Sequence, residues 1–216
     1  MAITQSELYY KYTGTAGTTN PETSLGGTIS LNTIPSGVDN NIFDDVTGNE
    51  SSIGASHYRA IGIYNSLGTH IWMNTSIRVD GFVASGGTPD TISFGVVQPA
   101  GAGGVPDGTI PIIGSETIDP GVAFTAEDAP SAWVAISGKD YTGSIGPDDW
   151  AGIWLARSIP AGASAVSNRS CTIRVQGETS ASPLVHDVGI TFRIDWNDTR
   201  FSLSRIMGEG VKALIE

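Results

Sequence analysis

The chain has 216 residues, a formal net charge of -11 and a pI near 4.5. An acidic surface of this kind repels nucleic acid and anionic membranes, and no apolar run approaches the ~18 residues that a membrane-spanning helix needs. Hydrophobic residues make up 39% and charged residues 15%, with 28 glycines, which excludes a disordered chain and points to many short strands joined by turns.

Residues 1–27 carry one aromatic patch, Leu8-Tyr9-Tyr10-Lys11-Tyr12, then a polar stretch from Thr13 to Pro21 without helical period. They read as an extended N-terminal arm. Tyr9, Tyr10 and Tyr12 are its expected docking contacts, on its own subunit or a neighbour, since tyrosine is favoured at interfaces. Strands begin with Thr28 to Ile34, which alternates polar and apolar. Asn41 to Glu50 reads as a loop with an aromatic plug, Phe43, and its run from Asp44 to Glu50 as an Asx-rich turn that caps a strand. Tyr58 to Tyr64 alternates again: Tyr58, Ala60, Gly62 and Tyr64 share one face, and Arg59, Ile61 and Ile63 the other.

Further strands are expected at 71–79, 91–97, 133–136, 150–157, 171–175 and 188–196. Between them, residues 98–121 form a long Gly/Pro-rich connection. Loops of that length commonly serve contact, so Pro99, Gly101, Gly103, Gly104 and Pro106 join the tyrosines as expected interaction residues. Gly208 to Glu216 reads as a short helical tail, the one helical signal in the chain. The expected architecture is all-β: a jelly-roll-like β-sandwich over residues 28–207, an arm over 1–27 and a tail over 208–216.

No constellation of catalytic residues stands out. His57, His70 and His186 are scattered, without paired spacing or a cysteine cluster, so neither a metal site nor a cofactor is expected. Asp44 to Glu50 lacks the ligand spacing of a calcium loop. Glu127-Asp128 and Asp148-Asp149 could supply paired carboxylates for glycoside hydrolysis, but turn chemistry accounts for both. No Gly-x-Ser-x-Gly elbow and no phosphate loop occur. Cys171 is the single cysteine, which forbids an intrachain disulfide, and its strand-like setting predicts a small buried hydrophobe. Trp72, Trp133, Trp150, Trp154 and Trp196 would bind sugar rings if exposed, but alternation assigns most of them, with Phe43, to the core. The start of the chain shows neither a basic nor an apolar leader region, so synthesis in the cytoplasm is expected.

Several segments resemble small β-sandwich virion structural proteins of tailed bacteriophages. They are Met1-Ala2-Ile3-Thr4, Ser24 to Ser30, Asn40 to Val46, and Tyr58-Arg59 with Ile61 and Asn65. Later segments continue the likeness: Trp150, Ile153-Trp154-Leu155, Arg157, Ile159 to Ala163, and Thr172 to Thr179. The resemblance implies a non-enzymatic subunit made in the host cytoplasm and incorporated into the virion. An accessory head-surface role, decoration or cement, is the first expectation. A tail, neck or baseplate component and a carbohydrate-binding module for host recognition are the alternatives. The implied partners are other virion proteins, including the major capsid protein, and further copies of the chain.

Overall fold

The computed structural model describes residues 7–38, 40–80, 90–99, 108–126, 133–163, 169–180 and 186–196. They form the expected β-sandwich of two antiparallel sheets. The strands are β1 (Leu8–Gly14), β2 (Thr28–Thr33), β3 (Ala55–Asn65), β4 (Trp72–Asp80), β5 (Thr91–Val97) and β6 (Thr125–Ala126). They continue with β7 (Val134–Ala135), β8 (Ser144–Ile145), β9 (Trp150–Ile159), β10 (Arg169–Thr179) and β11 (His186–Trp196). The large sheet runs β2-β1-β3-β9-β5-β6, and the small one β11-β10-β4-β7, with β8 also paired to β4.

The register follows from alternation. β3 and β9 pair along their length, Ala55 opposite Ile159 and Tyr64 opposite Trp150. Ile61 and Ile63 of β3, Ala151, Ile153 and Leu155 of β9, and Ile92 and Phe94 of β5 face the small sheet. There they meet Trp72, Ile77 and Val79 of β4 and Cys171, Ile173 and Val175 of β10. Cys171 is thus the small buried hydrophobe its context predicts. Trp72 is 1% and Phe43 1% exposed, and truncating either to alanine would cost about 3–5 kcal/mol.

The opposite face of the large sheet is also covered. Ala60, Trp150 and Trp154 pack there against Ile110 and Ile113, with Leu25, Ile29, Val122 and Phe124 around them. The covering segment is stitched to the start of β2 by reciprocal backbone bonds between Gly27 and Ile110 and by Ile113 N–H donating to Leu25 O, 3.0 Å. Close approach requires glycine on the sheet beneath. A Cβ on Gly152 would lie 2.6 Å from Ile110 Cγ2, and one on Gly62, its partner across the ladder, 2.8 Å from Ile29 Cδ1.

Two expectations are corrected. The segment read as an arm contains β1, an interior strand of the large sheet, paired with β2 on one side and β3 on the other. It docks on its own chain, with Tyr10 opposite Ile63 and Tyr12 opposite Ile61. A helix, α1 (Gly48–Ile53), stands where only a turn was expected. Thr47 and Glu50 close it with a capping box: Glu50 N–H donates to Thr47 Oγ1, and Thr47 N–H donates to Glu50 Oε2 at 2.7 Å. The proposed tail, 208–216, lies outside the described residues.

Candidate functional site

The most chemically loaded place in the described structure is one end of the space between the sheets. Alternation puts His57 and Arg59 on the same face of β3 as Ile61, and Arg157 on the same face of β9 as Leu155. These three polar residues therefore extend the apolar inner face to its edge, and they are 3%, 1% and 1% exposed. The Phe43 loop and α1 close this mouth. Phe43 seats beneath Arg59, whose guanidinium carbon lies 5.6 Å from the ring centroid. Asn41 anchors the loop, donating from Nδ2 to Pro35 O at 2.7 Å, while Tyr12 donates its hydroxyl to Asn41 O at 3.2 Å.

Each buried cation is compensated. Arg157 donates from Nε to Asp90 Oδ2 at 2.6 Å, both side chains being 1% exposed. Its Nη1 donates to Asp44 O at 2.9 Å and so fastens the loop. Asp90 reaches Arg157 diagonally across the β5–β9 ladder, where Ile92 stands opposite the arginine. Arg59 contacts Glu116 directly and Asp44 at 3.6 Å. Glu116 is delivered because the first half of β3 extends beyond β1. Its open edge is covered by loops, with Tyr58 N–H donating to Glu116 O and Ala60 N–H to Ser24 O.

His57 Nε2 pairs with Glu50 Oε1 at 3.0 Å, so Glu50 caps α1 with one oxygen and holds the imidazole with the other. Burial works to raise the Glu50 carboxyl, but the Thr47 amide and hydroxyl, with His57 and Arg157 nearby, hold it below its usual value. Asp44 behaves oppositely. Burial pushes its carboxyl up and the neighbouring Glu116 adds to this, against the pull of its own backbone amide, Arg59 and His57. A ring nitrogen of His57 and one oxygen each of Asp44 and Glu116 lie within 4.8 Å of one another.

Read from sequence, the histidines looked isolated. His57 is not: its neighbours come from positions 44, 50 and 116, separations at which sequence spacing carries no signal. The Thr47-x-x-Glu50 signature was the one legible trace. The expected contact residues fall elsewhere. Tyr10 and Tyr12 are buried and Tyr9 is half-buried, all within β1, so the first two offer no free surface. Their phenols are pushed up by burial, Tyr10 well above its usual 10.0. Pro99 is buried and accepts a bond from Gly108 N–H at 2.9 Å. Gly101, Gly103, Gly104 and Pro106 lie outside the described residues, as do Glu127 and Asp128. Asp149 is 8% exposed and serves as a loop staple, its Oδ1 accepting from Lys139 N–H at 3.0 Å and Trp150 N–H at 2.7 Å. Trp150 and Trp154 are buried as predicted, and Trp133 is half-buried under the Arg78 guanidinium, 5.4 Å from its ring centroid.

No family model matches the chain, and a search of curated proteins finds no match. Among solved structures, a family 123 glycoside hydrolase from Clostridium perfringens, described for glycolipid glycan hydrolysis, matches at 13% identity with a TM-score of 0.28. That match covers 70% of this chain and 22% of the hydrolase. An ASH/PapD-like domain of human CEP192 matches at 8% identity with a TM-score of 0.24, covering 73% of this chain and 82% of that one. At such TM-scores neither likeness carries an argument about what this chain does.

Proposed function

We propose that the chain is a non-enzymatic structural subunit of a tailed-phage virion, with an accessory head-surface role, decoration or cement, as the leading assignment. The observation that carries this reading is where the aromatic residues go. Trp72, Trp150 and Trp154 are 1%, 5% and 0% exposed, so they build the sandwich and supply no platform for sugar rings. Buried charges and caps are likewise committed to fastening loops, as a scaffold that must hold its shape in a particle requires. The sequence resemblance to small virion proteins supports the same reading, and a single, buried cysteine suits assembly in a reducing cytoplasm.

The direct test is to raise antibody against the chain and probe gradient-purified particles of the phage that encodes it. Co-migration with intact particles is the expected result. Protein confined to the top of the gradient would overturn the assignment. Separating heads from tails before probing distinguishes head decoration from a tail, neck or baseplate position. Truncating residues 1–26 is a poor test of assembly, because it would remove β1 and the Ser24 contact from the large sheet.

A further inference from the structure

We infer that Asp44, His57 and Glu116 form a binding site for a first-row divalent metal ion such as Zn2+, clasping three separate segments at the charged mouth of the sandwich. The inference is independent of the virion assignment. Three observations carry it.

The first is geometry. One ligand atom from each residue lies within 4.8 Å of the other two, compact enough for a common ion. The second is the state of His57, which is 3% exposed. Its Nε2 is taken by Glu50 at 3.0 Å, while Nδ1 is buried and has no hydrogen-bond partner among the described residues. A buried ring nitrogen without a partner is costly. A carboxylate on the far nitrogen is how proteins orient a metal-ligating imidazole and strengthen it as a donor. Glu50 supplies that carboxylate, and α1, through its capping box, supplies Glu50.

The third observation is charge. Two guanidiniums, Arg59 and Arg157, face four carboxylates at this mouth: Arg59 meets Asp44 and Glu116, while Arg157 pairs with Asp90 and also acts on Glu50. Carboxylates outnumber guanidiniums among these residues. A divalent cation would offset that excess of negative charge. One imidazole nitrogen with two carboxylate oxygens suits zinc-like ions, not calcium, which prefers six to eight oxygens. The ion would join the Phe43 loop, the start of β3 and the segment bearing Glu116, and thereby lock the mouth.

The test is titration of the chelator-treated, full-length protein with Zn2+ alone, followed by calorimetry, with Co2+ absorption as a spectroscopic probe. The expected result is one equivalent bound, a melting temperature that rises with Zn2+, and a shift of the His57 Nδ1 resonance in 15N NMR. Glu116→Gln, at a partly exposed side chain, should weaken binding at least tenfold while the metal-free protein still melts cooperatively. Glu50→Gln should weaken it roughly 10–100-fold through the imidazole. His70→Ala should leave it unchanged. Absence of stoichiometric binding would overturn the site. So would Zn2+ bound equally well by Glu116→Gln, or a His57 resonance indifferent to the metal. Should Glu116→Gln fail to fold, the NMR shift in the unsubstituted protein decides alone.

Discussion

The two ends of the sandwich are closed by different chemistry. At the Phe43 end the inner faces of β3 and β9 and the approach to β5 carry charged residues: Arg59, Arg157 and Asp90 are each 1% exposed. At the other end β3 terminates in Asn65, 0% exposed and neutral. Its amide donates from Nδ2 to the carbonyls of His70, Gly146 and Ile145 at 2.9, 3.0 and 3.2 Å, while its Oδ1 accepts from Leu67 N–H at 3.1 Å. Thr75, 1% exposed, adds a hydroxyl bond to Ile136 O at 2.9 Å. The neutral end gains modest energy from each bond and has little to lose from salt or pH. The charged end carries a large desolvation cost that only complete pairing offsets. A damaged pair there is therefore worse than a pair never made.

That asymmetry can be broken experimentally, and the largest effect is expected at Asp90. Asp90→Ala leaves the Arg157 guanidinium buried without its carboxylate and should cost about 3–5 kcal/mol in urea unfolding. Replacing both, as Asp90→Ala with Arg157→Met, should recover much of that loss; a double variant as weak as the single one would refute the charge argument. Asn65→Ala removes neutral bonds from buried backbone groups and should cost less, about 1–3 kcal/mol by the same measurement. Its cost should be unchanged between low and high salt. Thr47→Ala, which opens the capping box that holds Glu50 against His57, should cost about 0.5–2 kcal/mol and loosen only the charged end, visible as faster amide exchange in α1.

The smallest effect comes from between the ends. Burial raises Tyr10 well above 10.0, so the folded chain keeps a proton that the unfolded chain releases at that pH. Stability should be unaffected below pH 10, the ordinary tyrosine value, and should fall as pH climbs from there toward the raised folded value. Melting scans of Tyr10→Phe should show a shallower alkaline decline. Equal slopes in both proteins would show that other groups govern it.

Much of the sandwich was legible because one period governs it. Tyr58 to Tyr64 divides its faces as the alternation predicts, and Trp150 and Trp154, four positions apart, lie together on the outer face of β9. β1 was misread even though Leu8, Tyr10 and Tyr12 alternate with Tyr9 and Lys11 in burial, because tyrosine is equally at home in cores and at interfaces. The charged mouth was opaque for a different reason. Arg157 and Asp90 are 67 positions apart, and their meeting depends on which strands are neighbours and in what register. Strand order is not encoded in local pattern. The helix at 48–53 was recoverable from its capping box, but six residues give no periodic signal to weigh against an Asx-rich turn.

The ladder between β3 and β9 has a consequence for how the chain reaches its native state. Ala55 pairs with Ile159, and Tyr64 with Trp150, across a gap of 86 to 104 residues. During synthesis β3 emerges long before the strand that completes it, and its apolar inner face waits with an unpaired edge. Loop closure over that distance must come before the contacts that reward it. Folding of this chain should accordingly be slow, in the millisecond-to-second range of proteins built on non-local pairing. In the interval the exposed strand is open to pairing with other nascent copies.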